Sequence, residues 1–81
     1  MARRNVICER VRLARERAKP LITQTDLAAR LQVEGLRLER ATISKIETGY
    51  REVTDVEALA IAKALGVTVS WLMGEGENSR K

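Results

Sequence analysis

The chain has 81 residues, 44% of them apolar and 32% charged, enough for one compact core of modest stability but not for a scaffold with a buried catalytic cleft. One cysteine and no histidine exclude an internal disulfide, Cys/His zinc spacings and Ser-His or Cys-His nucleophile pairs, so neither enzyme chemistry nor a metal or cofactor is expected. The net charge is +4 at pH 7, no apolar run approaches the roughly 18 residues that cross a bilayer, and Met1-Ala2-Arg3-Arg4 leads into charged sequence, so the expectation is a cytoplasmic protein without membrane partners.

Proline and glycine divide the chain into five short helical segments without strand alternation. The first is expected from Asn5 to Lys19. Ile7, Val11, Ala14 and Ala18 lie at the spacing of one helix face, and Arg3, Arg4, Arg10, Arg12 and Arg17 form the other. Cys8 reads as a small buried apolar residue of this helix, and Pro20 stops it. Thr23 is the expected N-cap of a second helix, with Asp26 as a short capping-box acid, Leu27, Ala28 and Leu31 inward, and Gly35 as the stop. A third helix covers Arg40 to Thr48, with Ile43 and Ile46 inward, Arg40, Ala41, Ser44 and Lys45 outward, and Gly49 at its end. Thr54-Asp55-Val56-Glu57 is a full capping box for a fourth helix, Asp55 to Leu65, whose Ala58, Ala60, Ala62 and Ala64 permit close packing, and Gly66 closes it. Thr68 caps a last short helix holding Trp71, Leu72 and Met73. One domain over residues 1–74 is expected, with 75–81 as a flexible tail.

Residues 1–20 carry seven Arg/Lys against two Glu, residues 21–51 five against four, and residues 52–81 three against five. A basic front end suits phosphate contact, although a solvated basic helix fits it equally. The two aromatics, Tyr50 and Trp71, are too few for the ring stacking that single-stranded nucleic acid requires. The acids Asp26, Glu34, Glu39, Asp55 and Glu57 fall on separate segments at capping positions, which speaks against a metal-dependent nuclease.

Two short consecutive helices, the second presenting small, polar and basic side chains, match what a DNA major groove about 12 Å wide admits. Arg40 and Lys45 can donate to guanine O6 and N7, Thr42 and Ser44 can bond bases or phosphates, and Ala41 can touch a thymine methyl. Gln24, at the start of the second helix, is placed for phosphate beside the N–H groups of that helix end, and Thr25 next to it is a further candidate for DNA contact. Glu39 either accepts from cytosine N4 or caps the third helix. Thr42 alternatively faces the second helix and reaches no base.

Three blocks in order carry a resemblance: Thr23-Gln24-Thr25-Asp26-Leu27-Ala28, then Thr42-Ile43-Ser44-Lys45-Ile46-Glu47-Thr48-Gly49, then Leu59 to Leu72. From Val6 to Gly74 the chain resembles the Cro and phage-repressor (xenobiotic-response-element) helix-turn-helix family. The resemblance implies an all-α, compact five-helix, lambda-repressor-like domain whose second and third helices form the DNA-reading unit. It places Gln24, Arg40, Ala41 and Lys45 at DNA contacts, Arg51 at the DNA backbone, and Arg15 with Glu47 in a structural ion pair. The chain departs from the family's pattern by about five additional residues in the turn, near Val33-Glu34-Gly35-Leu36-Arg37. These lengthen the second helix, with Leu36 or Leu38 filling the core. Arg37 then becomes either a phosphate contact or a solvated loop residue. Lys19-Pro20-Leu21-Ile22 is a smaller extension of the first connection.

One reading helix covers a half-site, so a homodimer on an inverted-repeat operator, with half-sites about 34 Å apart, is expected. The function expected is that of a bacterial or phage transcriptional regulator acting as a repressor. Val67, Val69, Trp71, Leu72 and Met73 are the candidate dimer interface, with core closure by Trp71 and Leu72 as the competing role. An antitoxin that autoregulates its operon is the alternative function, but only eight residues follow Met73 to wrap a toxin protein.

Overall fold

The computed structural model describes residues 6–75 and contains five helices: α1 Val6–Arg17, α2 Gln24–Val33, α3 Arg40–Glu47, α4 Asp55–Leu65 and α5 Val69–Leu72. The described residues contain no strand. The expected start of α1 at Asn5, the basic positions Arg3 and Arg4, and the tail beyond Glu75 lie outside the described residues. At its other end α1 stops two residues short of Lys19, where the chain turns back and the Ile22 N–H donates to the Arg15 carbonyl at 3.1 Å.

Helix starts follow the capping chemistry. Thr23 Oγ1 accepts from the Asp26 N–H at 3.0 Å while the Thr23 N–H donates to Asp26 Oδ2 at 3.1 Å, a complete box despite the shorter acid. Thr54 and Glu57 repeat the arrangement at α4, and Thr68 Oγ1 accepts from the Trp71 N–H at α5. The capping role expected of Glu39 is corrected. Glu39 occupies the N-cap position of α3, but its carboxylate makes no capping hydrogen bond, because the effective cap side chains are the shorter Ser, Thr, Asp and Asn.

Four of the five helices end alike. At α4 the Gly66 N–H donates to the Lys63 carbonyl at 3.2 Å and the Val67 N–H to the Ala62 carbonyl at 3.0 Å, with Gly66 at φ +72°. This pair of bonds satisfies carbonyls that the helix leaves open and needs a left-handed residue, which glycine adopts without penalty. Gly35, Gly49 and Gly74 close α2, α3 and α5 with the same bonds. The role of Gly74 went unread in the sequence.

The core gathers Val11 of α1, Leu27 and Leu31 of α2, Ile43 of α3, Ile61 of α4 and Leu72 of α5. Ala58, Ala62 and Ala64 are buried on α4 and let that helix approach its neighbours closely. Cys8 is buried too, against the backbone at Gly49. Leu36 and Leu38, from the connection after α2, are half-buried and pack on the core, while Val33 is exposed.

Packing at α5 bears on two sequence assignments. Trp71 and Leu72 are buried in the core and help to close it. Val67 and Val69 are half-buried and Met73 is exposed. Arg10, expected on the solvent face of α1, instead lies over the Trp71 ring, 4.7 Å from its centroid, and donates to the Trp71 carbonyl at 2.7 Å.

Arg15 and Glu47 tie α1 to α3. Arg15 Nε donates to Glu47 Oε2 at 2.8 Å and Nη2 to Oε1 at 2.9 Å, with side chains 11% and 3% exposed. Arg15 Nη1 also donates to the Ile22 carbonyl at 3.1 Å.

Removing Glu47 strands a buried guanidinium. Glu47→Ala should therefore lower stability by about 3 kcal/mol in chemical denaturation, and unchanged denaturation would remove the pair from the scaffold. Gly66→Ala isolates backbone strain, since an added Cβ meets nothing within 4 Å. It should cost about 1–2 kcal/mol, and a neutral result would show that the turn relaxes.

Candidate nucleic-acid interface

The outward face of α3 is set by its inward one. Ile43, Ile46 and Glu47 are buried, and the helical period then leaves Arg40, Ala41 and Lys45 exposed and Thr42 and Ser44 half-buried at the edges. The connection before α3 leaves Arg37 and Glu39 exposed, and Thr25 is exposed on the first turn of α2. Arg37 and Lys45 have no acidic partner among the described residues. The exposed Glu39 carboxylate stands at the N-terminus of α3, where the helix dipole favours a negative charge.

Gln24, which its sequence position places for phosphate, has hydrogen-bond partners within the protein. Its Nε2 donates to Glu47 Oε1 at 3.1 Å, and its Oε1 accepts from Arg40 Nη1 at 3.2 Å. The side chains therefore form a chain of contacts, Arg15–Glu47–Gln24–Arg40, from the inside of α1 to the outside of α3. No sequence pattern pointed to this link, because its partners are 16 and 23 residues from Gln24. Hydrogen bonding to Glu47 is the main reason that the Arg15 guanidinium is held even more firmly protonated than usual.

Arg51 is likewise committed. Nη1 and Nη2 donate to Glu57 Oε1 and Oε2 at 2.9 and 2.7 Å, and Nη1 also donates to the Glu52 carbonyl at 3.0 Å. Hydrogen bonds from Arg51 hold the Glu57 carboxyl below the usual carboxylate range, assisted by the Thr54 N–H. Glu57 thus caps α4 and anchors the α3–α4 connection, and Arg51 is half of an ion pair and not a free cation. Tyr50, next to Arg51 in sequence, received no role from the sequence, yet its side chain is strongly exposed just after α3.

The described residues hold no group of three or more His, Cys, Asp or Glu side chains able to bind a metal, and no helix long and apolar enough to cross a membrane. A family model described as helix-turn-helix matches residues 11–72, most of the chain. No curated protein and no solved structure is significantly similar to it. The match spans α2, the lengthened turn and α3 together with the helices that carry them. The chain belongs to the helix-turn-helix family, of the Cro and phage-repressor type, and is a DNA-binding transcriptional regulator.

Proposed function

We propose that the chain is a repressor that lays α3 in the major groove and binds an inverted-repeat operator as a homodimer in a bacterial or phage-infected cytoplasm. The observation that carries this reading is the face of α3. Arg40, Ala41 and Lys45 project from a helix whose other side is held by Ile43, Ile46 and the Glu47–Arg15 pair. A rigid helix of this kind can distinguish base edges by donor and acceptor pattern. Arg40 and Lys45 supply donors for guanine and Ala41 an apolar contact for thymine. Ser44 and Thr42 serve the groove edges, and Thr25, Arg37 and the Arg51–Glu57 pair lie toward the phosphates. Glu39 stays at the helix start, where its charge steers α3 away from a phosphate.

Dimerisation falls to the apolar surface that the core leaves open around α5. Met73 is exposed, and Val67 and Val69 are partly so. A two-fold axis there would bring the same residues of two copies together. Val56 and Leu59, exposed on α4, form the competing surface.

Selection of bound sequences from a random duplex pool should enrich an inverted repeat with half-sites about one helical turn apart. Weak binding without an enriched motif, lost as salt rises, would reduce the reading to charge attraction. On the selected operator, Lys45→Ala should cost about 1–3 kcal/mol and relax preference at one position. A uniform loss across sequences would instead make Lys45 a phosphate contact. Sedimentation of Met73→Glu should give monomers at concentrations where the unaltered chain is dimeric. Dimers that survive Met73→Glu but not Leu59→Glu would move the interface to α4.

A further inference from the structure

We propose that the groove between the C-terminal ends of α1 and α4 is a docking site for another protein, and that it takes an acidic segment carrying apolar anchor side chains. The groove lies apart from α3, so a partner held there can ride on the DNA-bound protein. Neither the operator sequence nor the dimer surface enters into this reading.

The groove has a volume of about 980 Å³ and opens between the end of α1, the outer side of α2 and the α4–α5 connection. Ile22 and Leu65, 4% and 7% exposed, form its floor together with the half-buried Val67. Three cations, Arg17, Lys19 and Arg30, stand around that floor, and no carboxylate lines it. Arg17 and Lys19 are exposed and have no acidic partner among the described residues. Glu16, beside Arg17 in sequence, turns to Arg12 at 3.4 Å. Arg30 Nη1 donates to the Ala64 carbonyl at 3.0 Å, which fixes the guanidinium on the end of α4 without neutralising it. The floor is equally fixed, since the Ile22 N–H and carbonyl are both bonded to Arg15.

An apolar floor inside a cationic rim selects among possible occupants. A small free anion gains little from exposed charges, which salt screens within about 8 Å, and it leaves the floor uncovered. A duplex presents phosphates to the rim but little apolar surface to the floor, and α3 contributes nothing to the lining, so the groove is no extension of the base-reading face. A protein segment in which aspartate or glutamate flanks leucine-like side chains meets both features at once. Its carboxylates face Arg17, Lys19 and Arg30, and its apolar side chains cover Ile22, Leu65 and Val67. A concave site with charge of one sign also concentrates the opposite charge and hastens encounter. Because the floor and Arg30 are held in place before a partner arrives, little ordering of the groove accompanies docking.

The test uses the isotope-labelled full chain and, as probe, a short peptide of alternating glutamate and leucine. Peptides of glutamate with serine and of glutamine with leucine serve as controls. The glutamate–leucine peptide should shift the amide signals of Ile22, Leu65 and Val67, leave those of Ala41 and Lys45 in place, and bind equally well when the operator enriched from random duplexes is present. Both controls should bind about 10-fold more weakly. Arg17→Glu combined with Lys19→Glu should weaken the glutamate–leucine peptide by about 10-fold and leave operator affinity unchanged. If that double variant does not fold, Arg17→Gln carries the same expectations with a smaller loss. Equal binding of the glutamate–serine peptide would reduce the groove to charge attraction and overturn the proposal. So would the absence of shifts in the groove, or shifts on α3 that the operator abolishes. Operator binding weakened by the charge reversal, with a shallower salt slope, would assign these cations to phosphate and overturn it as well.

Discussion

The arrangement of the interface depends on one buried contact, the Arg15–Glu47 ion pair. Removing two charges from water costs several kcal/mol per ion, and the Coulomb attraction between them offsets this only when geometry and the remaining hydrogen bonds are good. Here they are. The pair is bidentate, Glu47 Oε1 also accepts from Gln24, and Arg15 also donates to the Ile22 carbonyl. Among the described residues no buried side-chain nitrogen or oxygen lacks a partner. Such a pair contributes less to net stability than to uniqueness. Apolar contacts at Ile43 and Ile46 tolerate small rotations of α3, whereas two directional bonds between Arg15 and Glu47 define a single setting.

That setting has consequences in two directions. Inward, the bond from Arg15 to the Ile22 carbonyl fixes the connection that delivers Thr23, and hence the start of α2. Outward, Gln24 continues from Glu47 to the surface. The first turn of α2 and the last turn of α3 are therefore referred to the same two charges. A helix-turn-helix unit with a lengthened turn has particular need of this. The connection at residues 34–39 is anchored by Leu36 and Leu38 packing on the core, which secures its path but specifies no angle between the helices it joins.

Local features were legible in the sequence and tertiary ones were not. The boxes at Thr23 and Thr54 and the stops at Gly35, Gly49 and Gly66 involve residues within five positions of each other, so composition and spacing reveal them. The burial of Ile43 and Ile46 follows from period alone, and with it the outward set Arg40, Ala41 and Lys45. The long cations were read less well. Arg10 and Arg51 look like solvated or phosphate-facing charges in the sequence, yet one lies on Trp71 and the other holds Glu57. A guanidinium on a flexible stem can reach acceptors on several elements, and only the fold decides which acceptor is near. The bonds of Gln24 to Glu47 and Arg40 were hidden for the same reason, and the missing cap bond of Glu39 because a position at a helix start says nothing of whether the side chain can fold back.

These commitments bear on how the protein can hold DNA. A cation already paired with a carboxylate neutralises less of a phosphate's charge, so Arg15 and Arg51 add little to the counterion release that drives nonspecific affinity. On and beside α3, the cations without an acidic partner among the described residues are Arg37, Arg40 and Lys45. If Arg40 and Lys45 are turned to bases, α3 and its flanks bring few free charges to the backbone, and their share of the affinity for a half-site is correspondingly small. Two copies on one duplex double the phosphate contacts and make the second half-site engagement intramolecular, which raises affinity without any new contact. The internal pairing that orders α3 is therefore in keeping with the proposed dimer, since the charges used to fix α3 are charges withheld from DNA.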